Sequence, residues 1–463
     1  MNWNSRQIGS EAPFIPLGPF KLRIPFVHYR FEWPDYFQGL LMCAVDLAAI
    51  PLMMDLLGMP FEAAIAIVIL NGLLYLTHHL LGDPVVPGWI TPAIPLLILF
   101  VEQFPQGPER VQALMAFQFS LGFLAILLGT TKLAKRVVGL IPPAIKSGII
   151  IGAGLAAIAT VFEEGGRFDL FPYSISIAVG IAFYLIYSRH FGHLQKRNKV
   201  FGVIAKLGIF PIILLAVFLA PLFQEAPWPS IEWGFTQPDF VLMINQYTVL
   251  GVGLPPFGVF ISTIPTVFAA YIVLFGDILQ SQAILEEADE IRKDEKIDYN
   301  PDRAHLLFGT RNLGMSIFGP DMTMAGPLWA AMHVVIVERF KQGRKAMDSI
   351  FGGAGSFRWG TNTGLLLLPI VSLVKPILGI ALALTLLIQG FVSVRVGVLE
   401  ASNQKDLGIA GIIAAVLVVK GATWAFLIGI VLTLLIYGSK FFHSHAEDRA
   451  PNDFMKRIKN NNK

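Results

Sequence analysis

Two aspartates stand inside apolar runs. Asp46 lies in Cys43-Ala44-Val45-Asp46-Leu47-Ala48-Ala49, and Asp277 in Phe275-Gly276-Asp277-Ile278-Leu279-Gln280. A carboxylate at the centre of a membrane helix costs about 2.5 to 3.5 kcal/mol on insertion scales, so one that is retained signals chemistry. Either residue can carry a proton, or bind Na⁺ together with backbone carbonyls, which makes both coupling-ion candidates. The plainer alternative is a structural hydrogen bond to a neighbouring helix. Gln280 continues the polar stripe beyond Asp277.

A second signal is an internal repeat. Gly82-Asp83-Pro84 opens a segment that passes through Trp89-Ile90-Thr91-Pro92 and ends in Val101-Glu102-Gln103-Phe104-Pro105-Gln106-Gly107. Gly319-Pro320-Asp321 opens another, which passes through Thr323-Met324-Ala325-Gly326-Pro327 and ends in Val337-Glu338-Arg339-Phe340-Lys341-Gln342-Gly343. The endings share V-E-x-F-x-Q-G, and the glycine-to-glutamate spacing is 20 in one copy and 19 in the other. Only the second ending carries basic residues, Arg339 and Lys341, as two copies of opposite topology would.

Proline suits the first turn of a helix, so Thr91-Pro92 and Gly326-Pro327 read as helix starts that come after short extended stretches. A helix that begins part-way through a membrane leaves free N–H groups and a positive dipole end facing inward. Two such half-helices related by inversion would meet at one central site, fitted to a negative or hydrogen-bond-accepting solute. The expected binding residues are Trp89, Ile90 and Thr91 from one copy and Met324, Ala325 and Gly326 from the other, with Asp277 and Gln280. Asp83, Asp321 and Thr323 either line the site or simply make turns. His78 and His79 near Asp83 raise the alternative of a membrane metalloenzyme, but their spacing matches no H-E-x-x-H signature. Gly352-Gly353-Ala354-Gly355-Ser356 is Gly-rich but lacks the Lys-Ser/Thr of a phosphate-binding loop, which argues against ATP drive. No metal, cofactor or nucleic acid is called for.

These residues need a membrane scaffold. Of the 463 residues 54% are hydrophobic and 14% charged, against about a quarter charged in a soluble domain. Apolar runs of crossing length lie near 36–57, 61–81, 109–129, 141–162, 168–188, 200–223, 257–285, 375–394, 407–419 and 421–437. Four shorter, interrupted pieces lie near 92–104, 303–318, 327–340 and 361–374. Together they predict an all-α polytopic membrane protein of fourteen segments in two inverted seven-helix repeats, with extended stretches before the third and tenth. The predicted inside loops hold Lys132, Lys135 and Arg136, then Arg189 to Lys199, Arg292 to Arg303, and Arg339 to Lys345. The predicted outside stretch from Pro221 to Pro256 has no Lys or Arg. That bias predicts a multi-pass protein of the cell (inner) membrane with both termini cytoplasmic. Segment 1–34 reads as a cytoplasmic lead-in, and the stretch Glu286 to Arg303 and the basic tail 442–463 read as solvated cytoplasmic pieces. The single Cys43 makes no intramolecular disulfide.

Ile141-Pro142-Pro143-Ala144-Ile145-Lys146-Ser147-Gly148, with Ile151-Gly152-Ala153-Gly154-Leu155 soon after, resembles the fifth crossing of the nucleobase–ascorbate (xanthine/uracil permease) family. The broken segments at 82–104 and 319–340 resemble that family's third and tenth crossings. More broadly, the order of segments is similar to the fold shared with sulfate permeases and bicarbonate transporters. The resemblance implies a core domain, 35–130 with 251–374, moving against a gate domain, 131–250 with 375–441. It also implies a homodimer. Two departures stand out: Met324-Ala325-Gly326-Pro327-Leu328 lacks the family's glutamate, and Asp46 stands where the family has small residues. The expected activity is proton- or sodium-coupled symport of a small anionic or heterocyclic solute by alternating access. The alternative is an anion exchanger or uncoupled anion pathway of sulfate-permease type.

Overall fold

A computed structural model describes residues 6–206 and 210–438. The tail 442–463 lies outside the described residues. The chain is helical apart from one hairpin, in which Ile15–Leu17 pairs antiparallel with Phe20–Leu22. Among the described residues six helices are long and apolar enough to cross a membrane, or seven if the bent pair Pro172–Tyr187 and Arg189–Gln195 counts as one. Thr91–Val101, Pro211–Leu222 and Ala422–Tyr437 are shorter apolar helices.

Lipid gives helices no hydrophobic reason to associate, so close approach and small residues carry the packing. Trp33–Leu47 and Ile350–Leu366 show this most sharply. A Cβ on Gly39 would lie 2.0 Å from the Phe357 carbonyl oxygen, and one on Gly360 2.0 Å from that of Tyr36. Any side chain at either position would drive the two backbones apart. Pro108–Thr131 packs against Pro301–Phe318, while Pro143–Phe162 packs against both Leu378–Glu400 and Gln404–Lys420.

Several expectations need correction. The Gly352-to-Ser356 run lies in the first part of the Ile350–Leu366 helix, and its glycines are spacing residues of a packed face. The piece expected at 361–374 is therefore the end of that helix together with Leu368–Val374. The first crossing, expected at 36–57, is one span, Trp33–Leu57, with only a short turn at Ala48-Ala49 between Trp33–Leu47 and Ile50–Leu57. The second half-helix starts at Ala330 rather than at Pro327, because residues 326–329 are drawn into extended pairing with the first copy.

The stretch 286–303 is not simply solvated, and residues 6–34 pack against it. The helix Phe257–Ile291 runs on well past the apolar stretch, and the loop beyond it is fastened to the N-terminal segment. Arg6, its side chain 1% exposed, donates to Glu295 Oε2 at 2.7 Å and to the Asp348 carbonyl at 2.9 Å. Lys21 bridges Glu11 and Asp298 at 2.5 and 2.6 Å. The backbone N–H groups of Lys21 and Arg23 bond the carbonyls of Leu81 and Leu80, beside Gly82. Glu32 accepts from Arg339 at 3.0 Å. The N-terminal segment thus ties the ends of both repeat copies to the Glu295 loop.

Burial pushes the Glu295 carboxyl up to about 7, although Arg6 and the Ser349 hydroxyl pull the other way. A carboxyl whose folded pKa is raised above its ordinary 4.5 holds its proton longer in the folded state. Its contribution to stability is therefore largest below pH 4.5, falls as pH rises toward 7, and is constant above that. The expected result is a thermal midpoint of purified protein that declines between about pH 5 and 7 and then levels off. In Glu295→Gln that part of the slope disappears; an unchanged slope assigns the titration elsewhere.

Candidate functional site

Both repeat copies begin with an aspartate that builds its own turn. Asp83 Oδ1 accepts from the Val85 N–H at 3.3 Å, and Asp321 Oδ1 accepts from the Thr323 N–H at 2.9 Å. The same side-chain-to-backbone bond two residues on shapes each turn. The extended stretches beyond these turns pair antiparallel, with a bridge between Gly88 and Gly326. The Gly326 N–H donates to the Gly88 carbonyl at 2.8 Å, the Ile90 N–H to Thr323 at 3.2 Å, and the Trp329 N–H to Val86 at 2.7 Å. A Cβ on Gly326 would sit 2.7 Å from the Trp89 carbonyl carbon, so this approach requires glycine. Met324 holds φ at 56°, a left-handed conformation rare for such a side chain. The two broken segments thus satisfy each other's backbone, which irregular chain in an apolar setting needs.

Helices leave this crossing on each side. The turn Thr91–Ala93 leads into Ile94–Val101, and Ala330–Lys341 continues from Trp329. A cavity of about 1610 Å³ reaches from the crossing to the exposed basic residues Lys132, Lys135, Arg136 and Arg395. Five of the expected residues line it: Asp46, Trp89, Thr91, Asp277 and Gln280. Asp277 is partly exposed, and among the described residues its carboxylate has no hydrogen-bond or ion-pair partner; its backbone carbonyl accepts from Ser281 at 2.8 Å. Lys146 also lines the cavity, 3.8 Å from Glu400.

The other expected residues sit behind the wall. Ile90, Met324 and Ala325 are buried and do not line the cavity, and Gly326 is taken up by the bridge. Ala325 is pinned from both sides by Asn312, whose Oδ1 accepts its N–H at 2.9 Å and whose Nδ2 donates to its carbonyl at 2.8 Å. Asp321 accepts from Asn71 Nδ2 at 2.6 Å and from the Thr323 hydroxyl at 2.9 Å. Asp83 meets His78 Nδ1 at 2.7 Å. The other nitrogen of His78, Nε2, faces Arg311 Nη1 at 3.1 Å. Arg311 can only donate, so Nε2 must accept and Nδ1 must carry the proton it gives Asp83. His78 and Asp83 are thereby committed to one another and to Arg311, and His79 Nδ1 lies 3.2 Å from the Asp83 carbonyl. Among the described residues no cluster of His, Cys, Asp and Glu has the arrangement of a metal site.

Two arginines escaped the sequence reading. Arg358, fully buried in the Ile350–Leu366 helix, reaches the cavity at the crossing. Its Nη1 lies 3.2 Å from Asp46 Oδ2, and its Nη2 donates to the Pro87 carbonyl. Its guanidinium lies 3.8 Å from the Tyr75 ring centre, and that of Arg311 lies 4.1 Å from the same ring. Tyr75 is thus shared by the two cations, a contact worth about 2 kcal/mol or more when desolvated. Arg311 Nη2 donates to Asn71 at 2.9 Å and so joins this pair to Asp321. The signal that picked out Asp46 would have found Arg358 as well, had its segment been read as a helix.

No family model matches the sequence. No curated protein matches it either. Solved structures do. The chain is similar to the transmembrane domain of a cyanobacterium bicarbonate transporter, BicA, with TM-score 0.50 and 14% identity over 86% of this chain and 96% of that one. It is similar to murine Solute Carrier 26 family member A9, an anion transporter, in the inward-facing state, with TM-score 0.51 and 13% identity over 88% of this chain and 68% of that one. A further structure of SLC26A9 gives TM-score 0.55 and 13% identity over 87% of this chain and 64% of that one. None of these three is a nucleobase carrier, and the broader likeness to bicarbonate and anion transporters is the one they support. At such identities the likeness is one of fold: this chain has the helical architecture of those membrane transporters.

Proposed function

We propose that the chain is a secondary active transporter of a small anion, which it binds where the two broken segments cross. The single observation that carries this reading is Arg358. It is a buried guanidinium on the cavity wall at the crossing, with Nε left without a hydrogen-bond partner among the described residues. A buried guanidinium on a cavity wall favours a negative charge in that cavity. The neighbours named as bicarbonate and anion transporters agree with it.

The packing supports a division into a moving core, 35–130 with 251–374, and a gate, 131–250 with 375–441. Trp33–Leu47 lies on Ile350–Leu366 and Pro108–Thr131 on Pro301–Phe318 within the first group, and Pro143–Phe162 lies on Leu378–Glu400 and Gln404–Lys420 within the second. The cavity lies between the groups and opens toward the basic loops, the cytoplasmic side by charge bias. It therefore corresponds to an inward-open state. Inversion of the two repeats, a full set of fourteen spans and an inner-membrane location belong to this proposal.

Coupling is assigned to Asp277, the cavity carboxylate without a described partner, with a proton as the driving ion. Asp46 is the counter-charge of Arg358, which the anion's charge displaces in part on binding. Anion exchange is the second reading, favoured by Asp46 being already occupied by Arg358. Proteoliposomes separate the two. Uptake of a labelled anion driven by an inward proton gradient, with no anion inside, supports symport. Uptake that needs an internal anion supports exchange, and no anion uptake under either condition overturns the proposal.

A further inference from the structure

We infer that the solute is an amphipathic organic monoanion, a carboxylate-class head on an apolar body, rather than a small inorganic ion. The inference rests on the anion-carrier reading above and narrows it. The charge at the crossing limits the head. Arg358 is the buried cation on the cavity wall there, and Asp46 already balances it at 3.2 Å. What remains is the start of the Ala330–Lys341 helix, where Ala330, Ala331 and Met332 line the same cavity, beside the Arg358 guanidinium, whose unpartnered Nε is itself buried. First-turn N–H groups have no partner within their helix, and a helix start carries roughly half a positive charge. With the start of the Thr91–Val101 helix nearby, this modest positive potential at the crossing favours a head of low charge.

The walls define the body. Val45, Val273, Phe275, Leu328 and Val335 line the cavity between the crossing and the basic mouth, and Trp89 borders the crossing itself. The lining is mainly apolar, so a compact, strongly hydrated anion would lose more water there than the scattered polar side chains, Thr91, Gln280 and Gln389 among them, replace. An apolar body gains on the same surface, by about three- to fourfold in affinity for each methylene it buries. A cavity of about 1610 Å³ has room for such a body beside the charged end.

The test uses the full chain in nanodiscs and calorimetric titration with propionate, butyrate, hexanoate, hexanamide, sulfate, bicarbonate and chloride. Affinity should rise about three- to fourfold per methylene from propionate to hexanoate. Hexanamide should bind at least about tenfold more weakly than hexanoate, since a bond to a charged group is lost. Val273→Asn should reduce the gain per methylene to below about twofold, a readout that does not depend on whether an Arg358 variant folds. Flat affinity across the carboxylates, equal binding of hexanamide, or tighter binding of sulfate, bicarbonate or chloride than of hexanoate would overturn the inference. Proteoliposome uptake then separates the two levels. If the inorganic anions move and the carboxylates do not, the solute class is wrong while anion transport stands; if neither moves, anion transport itself fails.

Discussion

Arg358→Gln is expected to abolish anion transport and to destabilise the protein, and a second substitution should separate the two effects. Removing the guanidinium leaves Asp46 buried with its one ion-pair partner gone. Breaking a buried pair from one side costs about 3 to 5 kcal/mol, mostly because the surviving charge is stranded. Arg358→Gln should therefore lower the thermal midpoint clearly and reduce uptake by at least about tenfold, the worth of a hydrogen bond to a charged group. Asp46→Asn combined with Arg358→Gln removes both charges and should recover most of the stability. It should recover none of the transport. If the double variant transports like the parent, Arg358 is a structural strut and the anion site lies elsewhere; if it stays as unstable as the single variant, Tyr75 and Pro87, not Asp46, are the partners that matter.

Asp277→Asn is expected to separate accumulation from exchange. The carboxylate stands on the cavity wall without a described partner, so replacing it with the isosteric amide strands no other charge and should leave the thermal midpoint near that of the parent. Uphill uptake driven by a proton gradient should fall to background, because no group remains to cross the membrane protonated with the solute. Counterflow of labelled against unlabelled anion, which needs no net proton movement, should persist. Undiminished gradient-driven accumulation would take Asp277 out of the coupling mechanism and favour exchange, with Asp46 serving Arg358 alone.

Broken segments at 82–104 and 319–340 were legible because their cues are local. The Gly-Asp-Pro and Gly-Pro-Asp openings, the prolines and the shared V-E-x-F-x-Q-G endings all lie within about twenty residues of one another. Apolar crossings were legible for the same reason: bilayer thickness imposes a length that a window can find. What failed was the start of the piece placed at 361–374. The piece expected from 361 starts at Ile350, where Gly360 and Gly39 admit a neighbouring backbone that no window along the chain can contain. Arg358 was lost with that misreading, and the solute site lost its cation.

Composition and local order were enough to establish a polytopic helical chain with paired interruptions and stray intramembrane acids. Each of those properties depends on residues near in sequence and on the thickness of the membrane. Which of the acids is satisfied and which is not depends on contacts across hundreds of residues. Arg358 claims Asp46, Asn71 claims Asp321, His78 is held between Asp83 and Arg311, and Asp277 is left on the cavity wall. A charge in an apolar medium acquires its role from whatever stands within about 4 Å of it, and that is a property of the folded chain.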